Sequence, residues 1–182
     1  MEGKWYILYT KVGAEKKVAA LLTRKGIQNF CPLNVFFDPK NSHKRILKPL
    51  FKNFVFVNLS PEELFQLRQL NGVRSIVYWL NVPAQVTPGE IIAIKELLET
   101  YNSLQLEKVP VNVKEDIGVI SVPYFEGQYN GSSCCHMTKT VIPSLGYALI
   151  ANSTESKRKP GESVIVIIEK FRSYQNSFRV KF

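Results

Sequence analysis

The sequence is poor in cysteine and has no long hydrophobic run, and each absence excludes a class of protein. It contains 3 cysteines in 182 residues, and two of them are adjacent, which argues against a framework of disulfide bonds. No apolar run approaches the roughly 20 residues that a helix needs to cross a membrane. The N-terminal residues also lack the apolar block of a secretory signal. We therefore expect a cytoplasmic protein.

The motifs of common enzyme classes are absent as well. There is no G-x-S-x-G, no P-loop and no H-E-x-x-H sequence. Cys134, Cys135 and His136 form a cluster that could bind a metal ion, but adjacent cysteines do not easily turn towards one zinc ion. His43 lies among basic residues and is better explained as a solvated side chain than as a catalytic group. The sequence thus predicts a protein that is not an enzyme and has neither cofactor nor metal.

Acidic residues are scarce in the first third of the chain. Residues 1–52 carry 11 lysines and arginines against 3 acidic residues, and the whole chain has a net charge of +9. Such a concentration of positive charge is typical of a protein that approaches nucleic acid or an acidic protein complex. Solvated surface lysines would give the same count, so the charge alone does not choose between these explanations.

The first hundred residues alternate between strand-like and helical patterns. Compact apolar runs predict strands, and apolar residues at helical spacing predict helices. A polar turn followed by a basic stretch predicts a flexible loop at the tip of a hairpin. The order β-α-β-β-α-β-α is typical of an α+β sandwich of the ferredoxin-like or RRM-like kind. Strands are predicted over Trp5–Thr10, Ile27–Phe37, Pro49–Leu59 and Val73–Leu80, helices over Ala14–Lys25, Pro61–Leu70 and Val86–Tyr101, and the loop over Asp38–Lys48.

The stretch from Pro49 to Leu59 is predicted to be the central strand. Proline cannot donate a hydrogen bond to a sheet, but it is acceptable at a strand's first residue, where Pro49 stands. Phenylalanine and valine then alternate, so the two faces of the strand differ in chemistry. The stacking motif of an RRM is not matched, because residues 51–56 contain no glycine. The phenylalanines could belong to the core or offer an aromatic face to a partner.

The second half of the chain has a different character. Residues 104–116 are polar, contain proline and show no sustained period, which predicts a linker after a first domain of residues 1–103. Short β-type segments separated by glycine and proline favour a small β-barrel over residues 117–182. An amphipathic helical stripe is lacking there, so we predict a β-rich tail and not a helical hairpin. The segments are Ile117–Val122, Thr140–Ile142, Tyr147–Ala151, Val164–Ile168 and Phe178–Phe182.

Residues 4–98 resemble the N-terminal domain of NusG-type transcription elongation factors. The most specific match is Pro49-Leu50-Phe51, followed after two residues by Phe54-Val55-Phe56-Val57. The second half is similar to the family's small KOW-type barrel, through the glycine-containing stretch from Val122 to Gly131, although Val122 replaces the first glycine of that turn. Pro143–Ala148 looks like a segment of specialised NusG paralogues. Further matches are Trp5-Tyr6, Glu15-Lys16-Lys17, Pro32-Leu33, Gly72-Val73 and Val82-Pro83.

This resemblance implies a function and a set of contact residues. A NusG-type factor would bind the clamp of RNA polymerase, suppress pausing or termination, and touch exposed non-template DNA. Its C-terminal domain would recruit a ribosomal protein or another factor, and we expect a monomer. The residues implied for polymerase binding are Tyr9, Phe51, Phe54, Phe56, Trp79 and Ile94, and those implied near nucleic acid are Lys11, Lys17, Lys44, Arg45, Lys48 and Arg74.

An alternative function remains open on the sequence. The basic first third could belong to an RNA- or ribosome-binding module that makes no contact with polymerase. The two functions differ in their response to salt, because a protein that neutralises phosphates on single-stranded RNA loses affinity steeply, with a slope of roughly −0.7 per phosphate. A protein that binds polymerase through apolar residues would tolerate moderate salt.

Overall fold

The computed structural model describes residues 3–38, 41–108, 121–124 and 137–152. They fall into two compact units, and the boundary between the units lies at Ile91 and Ile92. Several sequence features lie outside the described residues: the Cys134-Cys135-His136 cluster, the Lys157-Arg158-Lys159 run, and the strands expected over Val164–Ile168 and Phe178–Phe182. Among the described residues, no helix is long and apolar enough to span a bilayer.

The described elements mix strands with three α-helices and two short 3₁₀ turns. The strands are β1 Lys4–Thr10, β2 Gln28–Phe30, β3 Leu33–Asp38, β4 Asn41–Pro49, β5 Phe54–Leu59, β6 Val73–Ile76, β7 Tyr78–Trp79, β8 Val82–Pro83, β9 Gln85–Val86, β10 Leu104–Lys108, β11 Ser121–Tyr124, β12 Met137–Ile142 and β13 Tyr147–Asn152. The helices are α1 Glu15–Arg24, α2 Pro61–Gln66 and α3 Pro88–Thr100, and the 3₁₀ turns are Leu67–Gln69 and Pro143–Leu145. This is the mixed α/β class that the sequence predicted.

The first unit is built on an antiparallel sheet in the order β2-β5-β1-β6, with β9 also paired to β1. Side chains alternate between the faces of a strand, and one face carries Tyr6 and Leu8 of β1 beside Val55 and Val57 of β5. These residues form the core with α1 and α2, whose buried members include Val18, Leu22 and Leu64. Because Val18 and Leu22 are four residues apart, they lie on the same side of α1. The amphipathic pattern of the sequence thus predicted this layer correctly.

Helix α2 begins with a reciprocal hydrogen-bonded cap. The hydroxyl of Ser60 accepts a hydrogen bond from the backbone N–H of Glu63, and the Glu63 carboxylate accepts one from the backbone N–H of Ser60. This reciprocal capping satisfies two donors that a helix start otherwise leaves without partners. Pro61 occupies the first turn, where its missing N–H costs nothing. The helix is shorter than predicted, because the chain continues from Leu67 as a 3₁₀ turn.

Four sequence predictions need correction in this region. Pro49 is the last residue of β4 and not the first residue of the central strand, since residues 50–53 form a turn before β5 begins. The basic stretch expected as a flexible loop is strand β4, which pairs with β3 as a two-stranded ribbon. The strands predicted over Ile27–Phe37 and Val73–Leu80 are each broken into two.

The second unit contains a four-stranded antiparallel sheet in the order β10-β13-β12-β11. Its buried residues include Leu104, Ile142 and Leu149. Lys139 forms an ion pair of 2.8 Å with Glu107. Residues 104–108 are therefore a strand of this sheet, where the sequence predicted the start of a linker. The described part of the tail is β-rich, as predicted, and the closed KOW-type barrel stays a prediction.

Gly72 supplies a first stability test of the first unit. Its φ angle is +96°, and a Cβ atom there would lie 2.8 Å from Cγ2 of the buried Val18. We expect Gly72→Ala to lower the free energy of unfolding by about 2–4 kcal/mol, because backbone strain and overpacking add. Urea denaturation measures the change.

Gly13→Ala is the matched control for that substitution. Gly13 has a similar φ of +72°, but nothing lies within 4 Å of the point that a Cβ atom would occupy there. The substitution should therefore lower the free energy of unfolding only through backbone strain, by about 1–2 kcal/mol. Equal losses for the two variants would show that the contact with Val18 adds nothing.

Candidate functional site

Tyr9 and Phe54 form an aromatic pair on the face of the sheet opposite to the α1–α2 core. They are directly opposite each other in the β1–β5 register. Their rings meet edge to face, with centroids 6.2 Å apart, a favourable geometry for aromatic side chains. Both side chains are partly exposed. The pair therefore offers two adjacent, partly exposed aromatic rings to a partner.

The turn between β4 and β5 holds this pair in place. Asn53 has a left-handed backbone with φ 65°, a conformation that asparagine tolerates better than most residues. Its N–H donates to Oε1 of Glu15 at 2.8 Å, and its carbonyl accepts from the N–H of Thr10 at 2.8 Å. Its side-chain amide donates to the hydroxyl of Tyr9 at 3.3 Å. One residue thus joins α1, the end of β1 and the exposed ring of Tyr9.

A second aromatic cluster, around the buried Phe56, lies next to the pair along β5. Phe56 stacks on Phe30 with ring centroids 6.1 Å apart, and it meets Phe51 edge to face at 5.8 Å. Phe51 is only 2% exposed and Phe56 is fully buried. Solvent does not reach these two side chains in this structure, and their role in polymerase binding stays a prediction.

The other two residues predicted to bind polymerase, Trp79 and Ile94, differ in their exposure to solvent. Trp79 is 57% exposed on β7, whereas Ile94 is fully buried on α3 in the second unit. Ile94 therefore does not offer a surface either. Of the six residues predicted from the family resemblance, Tyr9, Phe54 and Trp79 are the ones whose side chains solvent can reach. Their binding of polymerase stays a prediction.

The β7–β8 hairpin carries exposed apolar residues that the sequence did not single out. Trp79 pairs with Val82, and Leu80 and Asn81 form the connecting turn with φ angles of 47° and 66°. Leu80 is 85% exposed at the tip, and Val82 is exposed beside Trp79. Because successive strand residues face opposite sides, Trp79 and Val82 share one face and Tyr78 lies on the other. The sequence signal that was missed is Asn81, a common turn residue.

All the residues predicted to lie near nucleic acid have exposed side chains. One group lies at the end of β1, a second group lies on the β3–β4 ribbon, and one residue lies on α1. The backbone N–H of Lys11 donates to the carbonyl of Gly72, which brings Lys11 close to Arg74. The β3–β4 ribbon carries Lys44, Arg45 and Lys48. Lys17 lies on the exposed side of α1.

The ribbon is also attached to α1. Nζ of Lys16 donates to the backbone carbonyl of Leu47 at 2.6 Å. Nζ of Lys48 lies 5.9 Å from the centroid of the Phe36 ring, within the range of a cation–π contact. The ribbon therefore combines exposed cations with the exposed apolar side chains of Phe36 and Leu47.

Cys31 lies near the buried carboxylate of Glu15. Burial first, and then the negative charge of Glu15, raise the pKa of the Cys31 thiol from 9.0 to about 11, while Lys16 opposes the shift. A thiol with such a pKa is protonated at neutral pH and is a poor nucleophile. Within the described ranges, no group of three or more histidine, cysteine or acidic residues could hold a metal ion.

The hydrogen bond between Glu15 and Asn53 can be tested through stability. Glu15→Ala removes the acceptor and leaves the Asn53 N–H without its partner, so we expect a loss of about 1–3 kcal/mol in the free energy of unfolding. Glu15→Gln keeps a carbonyl oxygen at the same position, so its free energy of unfolding should fall by less than that of Glu15→Ala. Urea denaturation of the two variants compares them, and equal losses would contradict a role for this bond.

The raised pKa of Cys31 predicts slow alkylation of the native protein. Below pH 9 the thiolate fraction should be about 100-fold smaller than for a thiol with a pKa of 9.0. The rate should rise with pH towards a midpoint near 11, and Glu15→Gln should move that midpoint downward. Peptide mapping by mass spectrometry after iodoacetamide treatment separates Cys31 from the other cysteines. A midpoint unchanged from that in urea would contradict the prediction.

Comparison with known proteins identifies the family. A family model described as "Transcription termination factor nusG" matches residues 3–95, just over half of the chain. A solved structure titled "Domain interaction in Thermotoga maritima NusG" is similar, with 19% identity and a TM-score of 0.47, covering 85% of this chain and 96% of that one. No curated protein sequence matched. The chain belongs to the NusG family, whose members are non-enzymatic factors of transcription elongation and termination.

Proposed function

We propose that this protein binds the clamp of RNA polymerase through the exposed aromatic residues of its first unit and suppresses pausing or termination. The observation that carries the proposal is the Tyr9–Phe54 pair, whose rings are partly exposed and in which Asn53 holds the Tyr9 hydroxyl through a hydrogen bond. Aromatic side chains with a rigid, well-packed base are favoured anchors in protein interfaces. Membership of the NusG family gives this surface a context in transcription.

Trp79 and its hairpin extend the proposed contact. Trp79 and Val82 present apolar side chains on one face of β7–β8, and Leu80 projects from the tip. Exposed apolar residues grouped in this way mark interaction sites more often than isolated ones do. Tryptophan is among the residues most enriched in interface hot spots. We therefore include Trp79 with Tyr9 and Phe54 as a direct contact residue.

The basic residues support a second contact, with exposed non-template DNA. Lys44, Arg45 and Lys48 follow one another along the β4 strand of the ribbon, and Lys11 and Arg74 lie near one another at the end of β1. Cations that neutralise phosphates add affinity without reading sequence. In this proposal they hold the factor close to the nucleic acid while the aromatic residues fix it on the polymerase.

The second unit has the remaining role in the proposal. Its four-stranded sheet would belong to a KOW-like domain that recruits a further partner, a ribosomal protein or another factor. This part rests on the family resemblance, since the described residues of the unit have few exposed apolar side chains on their strands.

Capture of core RNA polymerase by the immobilised full chain tests the polymerase contact. Phe54→Ala and Trp79→Ala should each reduce the capture by about tenfold or more, because each removes a large apolar anchor. Phe36→Ala is the control, since it removes an exposed ring from the ribbon. Phe56→Ala is unsuitable, because loss of a fully buried phenylalanine costs about 3–5 kcal/mol in stability. Unfolding curves establish that each variant is folded.

The same assay tests the alternative function. If the wild-type chain captures no polymerase but binds RNA with a steep salt dependence, the protein is an RNA-binding module and the proposal fails. If polymerase is captured equally by wild type and by both aromatic variants, the contact lies elsewhere on the chain.

A further inference from the structure

Arg68 lies close to two aromatic rings on a surface that the proposed polymerase contact does not use. Its guanidinium carbon lies 5.3 Å from the centroid of the Phe65 ring and 5.6 Å from that of Tyr78. Both distances are within the range of a cation–π contact. Phe65 comes from α2, Arg68 from the following 3₁₀ turn and Tyr78 from β7. Two separate parts of the chain thus meet around one cation.

The arrangement fixes the direction of the guanidinium group. One of its terminal nitrogens donates a hydrogen bond to the Tyr78 hydroxyl. A guanidinium has five N–H donors in one plane, and the bond to Tyr78 uses one of them, so other donors are left for a ligand. Arg68 is exposed, and it forms no ion pair with a carboxylate in the part of the chain that the structure describes. The group is therefore oriented and available for an acceptor with two oxygens, such as a carboxylate.

The surroundings favour a protein ligand over nucleic acid. Arg68 is the one cation among residues 60–72 and 78–83, and Gln66 and Gln69 beside it are neutral. Glu62 lies one helical turn before Phe65 and is exposed, so this surface lacks the concentrated positive charge that a chain of phosphates needs. Nucleic-acid surfaces neutralise several phosphates at once, which a single arginine cannot do. The exposed rings of Phe65 and Tyr78 add apolar area next to the charge.

We propose that Phe65, Arg68 and Tyr78 form a docking site for an acidic protein segment, one that carries an aspartate or glutamate beside apolar side chains. The carboxylate binds the free edge of Arg68, and the apolar side chains cover the two rings. Tyr78 and Trp79 are neighbours on β7 and face opposite sides of the hairpin. The docking site therefore lies on the other face of the hairpin from Trp79 and allows a second protein contact, independent of the proposed function.

Selection from a phage-displayed library of random peptides on the full-length chain tests this proposal. Peptides that combine an acidic residue with apolar neighbours should be enriched on wild type and depleted on Arg68→Gln. The affinity of the best synthetic peptide, measured by calorimetry, should fall about tenfold or more in Arg68→Gln, because a charge-assisted bidentate contact is lost. Arg24→Gln is the control, since Arg24 is also exposed on the first unit but contacts no ring.

Two further variants separate charge recognition from a merely structural role. Arg68→Lys keeps the charge but loses the planar donors and should bind the peptide more weakly than wild type. Arg68→Glu should lose the selected peptide but bind a version in which the acidic residue is replaced by lysine. Recovery of binding in this exchange requires direct contact between the two charges.

Three results would overturn the proposal of a docking site. Selection without enrichment of acidic residues, or an affinity that is the same in wild type and Arg68→Gln, excludes the docking site. If single-stranded oligo(dT) loses affinity in Arg68→Gln while the peptide does not, the surface binds nucleic acid and not a protein. None of these results depends on capture of RNA polymerase, so the two proposals succeed or fail separately.

Discussion

The hydrogen bond from the Asn53 N–H to the Glu15 carboxylate is the contact on which the exposed aromatic surface depends. It connects the start of α1 to the turn that precedes β5, across 38 positions of sequence. The left-handed conformation of Asn53 lets the same residue also reach β1 and the Tyr9 hydroxyl. Because Glu15 is buried, the bond forms away from competing water, where an unpaired donor would be costly. Helix, turn and aromatic pair therefore keep one relative arrangement.

Local sequence patterns predicted the parts of the fold that depend on local physics. The amphipathic α1 and the alternation in β5 are each determined within a few residues, and the structure contains both. The alternation of residues did not predict how deeply the residues on each face of the strand would be buried. Phe54 and Phe56 share a face of β5, yet only Phe54 is near the surface, because Phe30 and Phe51 cover Phe56. Depth of burial comes from contacts that are distant in sequence.

The two strands that the sequence did not predict, β4 and β10, also depend on contacts that are distant in sequence. β4 contains lysine, arginine and histidine, and β10 contains polar residues that resemble a linker. Each becomes a strand because a distant partner, β3 or β13, supplies its hydrogen bonds. Strand formation by polar residues is a matter of pairing more than of intrinsic preference. The Phe65–Arg68–Tyr78 contact was likewise invisible in the sequence, since ten residues and a turn separate Arg68 from Tyr78.

The turn of the β7–β8 hairpin has a thermodynamic consequence for the whole protein. Two positive φ angles in a two-residue loop suit the twist of a hairpin, and asparagine or glycine would normally occupy both positions. A leucine at the first position costs roughly 1–2 kcal/mol, a substantial part of the 5–15 kcal/mol that typically separates a folded domain from its unfolded state. Its apolar side chain also remains in water. The hairpin tip of the free protein is thus destabilised both by backbone strain and by the exposure of an apolar side chain. Burial of Leu80 by a bound partner would remove the second of these costs.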